Sequence, residues 1–215
     1  MRLIGFNVAT EVGRMNRACK ITTAAILFMG SSLWNPPAST GITPAGQLQE
    51  TWEQIVLILK SARFDSEPEI DAFRIKVMQI IIPRFDFAEM AKRSLGAHWA
   101  DRTAEEQEQY VKLFMAMLAR SYIGGIREYK DSTVLYTRES NDANRAEIDT
   151  KIVTKGAKDL FVSYRMHFVE ENWKVYDVII DDVSLIDNYR AQFHRVIAHS
   201  SFEGLIRIMK ERQQG

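Results

Sequence analysis

Residues 173–193 read Trp173-Lys-Val-Tyr-Asp-Val-Ile-Ile-Asp-Asp-Val-Ser-Leu-Ile-Asp-Asn-Tyr-Arg-Ala-Gln-Phe193. Val175, Asp177 and Ile179 alternate with Tyr176, Val178 and Ile180, the period-two pattern of a half-buried strand. Leu185, Tyr189 and Phe193 then recur four apart, the period of a helix, with Asp182 or Ser184 placed to cap it. A strand therefore passes into a helix with almost no linker.

Upstream of this run the period is two over a long stretch. Strands are expected at Thr133–Arg138, Arg145–Thr154, Leu160–Val169 and Trp173–Asp181. Asn141-Asp142 and Lys155-Gly156 mark turns, and Glu170-Glu-Asn172 a tight hairpin connection. Short links imply an antiparallel meander. Ala146, Ile148 and Ile152 share one face of the second strand while Glu147, Asp149 and Lys151 share the other, so one side is covered and one is wet.

Before the strands the period is helical. Leu48, Trp52, Ile55 and Leu59 mark a first helix from Gln47. Ser66 precedes a second, with Pro68 in its first turn and Pro83 beyond its end. Asp86 caps a third, ended by Gly96. Thr103-Ala-Glu-Glu106 is a capping box opening the longest helix, expected to run to about Lys130. Gly124-Gly125 inside it predicts a bend or a close approach of another backbone. Two helices, Ser184–His199 and Phe202–Gln213, close the chain. The fold class is α+β: an antiparallel meander of about four strands, covered on one face by about six helices; on pattern alone such apolar faces read as a filled core, and an apolar cavity between sheet and helices is what the family resemblance described below implies.

Composition narrows function. The 215 residues carry 28 Lys and Arg against 28 Asp and Glu, so no basic field exists to hold nucleic acid. One cysteine, Cys19, permits no internal disulfide. Arg2, Arg14, Arg17 and Lys20 precede an apolar run from Ile21 to Leu33, broken by Asn35-Pro-Pro-Ala38. That run suits a signal-peptide core and is short of the ~20 residues of a membrane span. Residues 1–38 are therefore expected to be an export signal with Ala38 its candidate last residue, residues 39–46 a linker, and residues 47–215 the domain. Counting from Met15 gives the more typical signal length. Removal of residues 1–38 takes four basic and one acidic residue and leaves a net charge of about −3.

Catalytic constellations are sparse. There is no G-x-S-x-G elbow, glycine-rich phosphate loop or H-E-x-x-H. His194 and His199 are five apart, a poor spacing for one metal, and His98 and His167 have no candidate co-ligand nearby in sequence. Asp181-Asp182 is read as a turn or cap rather than an acid–base pair. Asp177, inside an apolar strand, requires a partner such as Arg165 or Arg190. An enzymatic alternative would place Asp177 or Asp181 as base and Tyr164 or Tyr189 as oxyanion donor in a cone-shaped α+β fold. A second alternative is an interaction domain with a solid core.

The ordered motifs resemble one family. Pro83-Arg-Phe-Asp-Phe-Ala-Glu-Met-Ala-Lys-Arg-Ser-Leu-Gly96, Trp99 followed by Thr103-Ala-Glu-Glu-Gln107, Tyr164-Arg165, Trp173–Asp177, Val183-Ser-Leu185, Asn188-Tyr-Arg190 with Phe193, and Phe202-Glu-Gly-Leu-Ile206 resemble the MlaC, or Ttg2 toluene-tolerance, proteins across roughly Gln47 to Lys210. Asp181-Asp182 departs from the Glu-Gly that many relatives carry. The resemblance implies a monomeric periplasmic carrier, not an enzyme, that takes glycerophospholipid by its tails and helps maintain outer-membrane lipid asymmetry. It implies no cofactor beyond the phospholipid cargo and no metal. The implied partners are an inner-membrane MCE-type ABC lipid transporter and an outer-membrane lipoprotein–porin complex. Family analogy together with periodicity makes the candidate lipid-binding residues Met90, Leu95, Phe114, Leu118, Tyr122, Ile148, Ile152, Tyr164, Met166, Val178 and Ile180.

Overall fold

The computed structural model describes residues 43–214. The expected signal segment and residues 39–42 of the linker lie outside them. Helix α1 spans Pro44–Ser61, three residues ahead of the expected start, because Thr43 caps it through Gly46 N and Pro44 occupies the first turn. Helix α2 is Glu67–Ile81 and α3 is Phe87–Leu95. Asp86 caps α3 through Glu89 N, and Gly96, at φ 57°, ends it in the left-handed region. A 3₁₀ turn, Gly96–Trp99, leads to α4, Ala104–Tyr122, which opens on the complete Thr103/Glu106 capping box.

The long helix is shorter than expected. At Ile123 the winding tightens to a 3₁₀ segment, Ile123–Tyr129, holding Gly124 and Gly125. A Cβ at either glycine would meet nothing within 4 Å, so no backbone approaches there. The pair accompanies a change of helix type, which glycine eases because its backbone carries no side-chain preference.

Strands β1 (Thr133–Asp142), β2 (Arg145–Val153), β3 (Leu160–Val169) and β4 (Asn172–Ile180) form the meander, and a fifth, β5 (Val183–Ser184), joins the end of β4. All neighbours are antiparallel. Three turns differ from expectation. β1 runs through Asn141-Asp142 and turns at Ala143-Asn144, with Ala143 at φ 46°. Glu170-Glu171 alone links β3 to β4, both residues left-handed, and Asn172 already pairs with Val169. Asp181 and Asp182 are both left-handed too, at φ 44° and 68°. They form a two-residue hairpin turn, so the strand reverses once more before the helix instead of passing straight into it. Helix α5, Leu185–Gln214, is broken at Ser201 (φ 62°, ψ 175°), where the two expected helices meet.

Two bulges bend the sheet. The β1–β2 register shifts around Thr137, and the β3–β4 register shifts at Tyr176, which stands opposite the Arg165–Met166 step. The far side of β4 is closed by Phe85, which bridges Val175 through Asp86 N to Val175 O and Val175 N to Arg84 O. α1 is fastened to the β3–β4 hairpin: buried Gln47 accepts from Trp173 N at 2.9 Å, and Arg84 donates to Thr51 Oγ1 and to Trp173 O. α4 and α5 share an aromatic core in which neighbouring rings among Tyr110, Phe114, Tyr189, Phe193 and Phe202 lie 5.3–6.2 Å apart, centroid to centroid. The Tyr110 hydroxyl is satisfied by Ser94 Oγ at 2.6 Å. A second core joins α1, α2 and the end of α4 through Ile55, Leu59, Phe73, Val77, Ala119 and Ile123.

Candidate functional site

The register sorts the two faces of the sheet. On the inner face one row runs Tyr136, Thr150, Val162, Ile180, the next Ile148, Tyr164, Val178, and the next Ala146, Met166, Val175. The six strand residues expected to bind ligand, Ile148, Ile152, Tyr164, Met166, Val178 and Ile180, are thus brought together on one surface. They are not equally enclosed. Ile148 and Met166 are fully buried, and Ile152 and Val178 nearly so, whereas Tyr164 and Ile180 keep accessible surface. Tyr164 is nevertheless in an enclosed setting. Burial, and then the neighbouring Tyr136 hydroxyl, push its own hydroxyl well above the usual phenol range, with Thr150 partly opposing. Its hydroxyl is therefore enclosed while the residue as a whole keeps accessible surface. Tyr136 behaves alike: burial, then Glu53 of α1, push its hydroxyl up to about 12.

The helical candidates divide differently. Phe114 points into the aromatic core between α4 and α5, fully enclosed by Tyr110, Tyr189 and Phe193. Met90 is buried on α3, and Leu95 also borders a cleft on the α5 side. Leu118 is buried, while Tyr122 is half-buried with an enclosed hydroxyl. Burial first, and then the Tyr189 hydroxyl beside it, raise its pKa. Tyr136 on β1 and Trp52, Ile58, Met78, Ile81 and Ile126 on the helical segments are also large, apolar and only partly buried. Periodicity marks an inward face, helical or strand, without telling filled space from open space.

The outer face carries a polar chain across the strands. Arg138 on β1 reaches Asp149 (2.6 Å) and Glu147 (2.9 Å) on β2. Glu147 meets Arg165 on β3 at 3.2 Å, and Arg165 meets Asp177 on β4 at 3.3 Å. Asp177, 4% exposed, also accepts from Ser184 Oγ at 2.7 Å and from Ile186 N at 3.2 Å. Ser184 in turn caps α5 through Asp187 N. Of the expected partners for Asp177, Arg165 is the one present; Arg190 pairs with Asp187 instead. Asp177 is a brace between sheet and helix.

The residues of the enzymatic alternative do not converge. Asp177 has its oxygens occupied on the outer face, Tyr164 lies on the inner one, and Asp181 sits in a turn where it accepts from Phe161 N. No group of three or more His, Cys, Asp or Glu among the described residues is placed to hold a metal ion. Nor is any described helix long and apolar enough to cross a membrane.

A bent antiparallel sheet with a polar outer face and an apolar inner one, packed with helices, defines an α+β domain. The profile of the MlaC protein family matches residues 49–211, and the chain belongs to that family. Toluene tolerance protein ttg2D of Pseudomonas putida is 22% identical over 153 residues, covering 70% of this chain and 71% of that one. The intermembrane phospholipid transport system binding protein MlaC of Haemophilus influenzae is 18% identical over 174 residues, covering 79% and 81%. Among solved structures, a phospholipid-binding protein from Ralstonia solanacearum, in complex with a phospholipid, superposes with a TM-score of 0.69 at 24% identity. The match covers 78% of this chain and 95% of that one and establishes the common fold.

Proposed function

We propose that this protein is a periplasmic carrier that holds glycerophospholipid by its acyl chains against the inner face of the sheet. The observation that carries the reading is the incomplete packing of that face, where Tyr164, Tyr136 and Ile180 keep accessible surface beside the fully buried Ile148 and Met166. Membership of the MlaC family and the phospholipid held by the Ralstonia solanacearum relative support it. The wall combines strand residues Ile148, Ile152, Tyr164, Met166, Val178 and Ile180 with Tyr122, Leu118, Trp52 and Ile81 from the helices. Each buried CH₂ contributes about 0.8 kcal/mol, so two acyl chains bind without any specific polar contact. Release then requires a conformational change at a docked partner. The partners in this reading are an inner-membrane MCE-type ABC lipid transporter and an outer-membrane lipoprotein–porin complex, with lipid asymmetry of the outer membrane as the outcome.

The test is mass spectrometry of lipids extracted from protein exported and purified without detergent. Near-stoichiometric diacyl phospholipid is expected. A folded, stable protein free of lipid would remove the reading. Tyr164→Trp, which adds bulk to the inner face, should shorten the acyl chains that co-purify; an unchanged chain-length profile would take Tyr164 out of the wall.

A further inference from the structure

His98 and His194 are 96 residues apart in sequence, and the fold brings them nitrogen to nitrogen. His98 Nε2 lies 3.0 Å from His194 Nδ1, with ring centroids 5.2 Å apart and ring planes 29° from parallel. The geometry points to a two-histidine site for a late first-row divalent metal ion, between the turn after α3 and α5. Two imidazole nitrogens bound side by side to one ion at about 2.0–2.1 Å must themselves be roughly 2.9–3.4 Å apart. The observed pair already meets that spacing.

The backbone on both sides is anchored, so the spacing does not rest on side-chain chance. Gly96 starts the 3₁₀ turn that carries His98, and a Cβ there would come within 3.1 Å of Arg190 Cδ on α5. The turn is therefore covered by the Arg190 side chain, one helical turn ahead of His194 on α5. His194 follows Phe193, which is locked into the aromatic core. Beside the two rings is a cleft of about 340 Å³, walled by Leu95, Ala97 and Ala191, with room for an ion and its remaining water ligands. Its two charged residues, Arg190 and Asp187, pair at 2.8 Å, so no net positive charge opposes a dication.

In the metal-free pair one ring donates an N–H to the lone pair of the other. Binding moves that proton to the donor ring's second nitrogen. Both facing lone pairs are then free for the ion, and both rings stay neutral with no proton released. Imidazole donors select Cu²⁺, Ni²⁺ and Zn²⁺ over Mg²⁺ and Ca²⁺, with Cu²⁺ bound tightest. The bound ion would staple the turn after α3 to α5.

The experiment is titration of the purified protein with Cu²⁺, and separately with Ni²⁺, followed by calorimetry and electron paramagnetic resonance. One equivalent of Cu²⁺ with hyperfine coupling to two imidazole nitrogens is expected. His98→Gln and His194→Gln should each weaken that equivalent by about tenfold or more, since one of two protein donors is lost. His199→Gln, further along α5, should leave it intact. All three side chains reach solvent, and metal-free thermal melts verify that the variants are folded. Binding that survives both His98→Gln and His194→Gln, or no binding at millimolar ion, overturns the site.

Discussion

Asp177→Ala should be among the most damaging single changes outside the apolar core, and Arg165→Ala should not. Asp177 satisfies three donors from three places: Arg165 on β3, Ser184 Oγ on β5 and Ile186 N in the first turn of α5. Alanine leaves the buried Ile186 N–H without its acceptor, at about 1–3 kcal/mol. It also removes a side-chain anchor at a helix start, worth about 1 kcal/mol. The ion pair adds little, because the Arg165 side chain is 42% exposed and its guanidinium can turn to water. The expected loss is about 3 kcal/mol for Asp177→Ala and below about 1 kcal/mol for Arg165→Ala. For a domain of this size the former lowers the melting temperature by roughly 6–12 °C. Urea titration and thermal melting of the two variants, with Asp177→Asn as the shape-preserving intermediate, measure this. If Arg165→Ala costs as much as Asp177→Ala, the charge pair rather than the helix start is what Asp177 serves, and the argument fails.

Asp182 occupies a left-handed backbone position at φ 68°, so Asp182→Gly should stabilise the protein by about 1 kcal/mol, read as a higher melting temperature, whereas Asp182→Val should lower it. Phe114→Ala should cost about 3–5 kcal/mol by opening a cavity among Tyr110, Tyr189 and Phe193, seen as a lower urea midpoint. Burial works to raise the Asp149 pKa, but hydrogen bonds from Ser163 and Arg138 and the charge of Arg138 outweigh it and hold the carboxyl below its usual range. A depressed folded-state pKa gives stability that is complete above the unfolded-state value, about 3.9, and is lost as pH falls through the folded one. Asp149→Asn should therefore flatten the acid limb of the stability curve below about pH 4, with Ser163→Ala shifting that limb to higher pH.

Much of this architecture was legible because it depends on local patterns. The Thr103/Glu106 box, the Asp86 cap and Gly96 use short-range chemistry, and each stands where the sequence placed it. The meander was legible from alternation at Ile148 and Ile152. The turns were less so. Asn141-Asp142 has turn composition, yet the pairing of Asn141 with Ala146 and Asp142 with Arg145 continues the ladder, and Ala143 takes the left-handed position. Asp181-Asp182 hid β5 because a two-residue strand has no periodicity to detect. On the inner face, alternation in β2 to β4 was legible, whereas Tyr136 was not, since an edge strand's polar neighbours mask its pattern. The meeting of His98 with His194 depends on how α3 packs on α5, which no local rule reports.

Gln47 has a temporal consequence. Its amide is buried and accepts from Trp173 N, 126 residues later in the chain. In a chain that emerges N-terminus first, α1 appears well before the hairpin that completes its hydrogen bonds. Loop closure over that span comes after the local hairpins, each joined by a few residues, have formed. The first of the described helices to arrive is thus among the last to be secured, and until β4 is delivered its apolar face, with Leu48, Ile55 and Leu59, stands open to any holding factor that meets an unfinished chain.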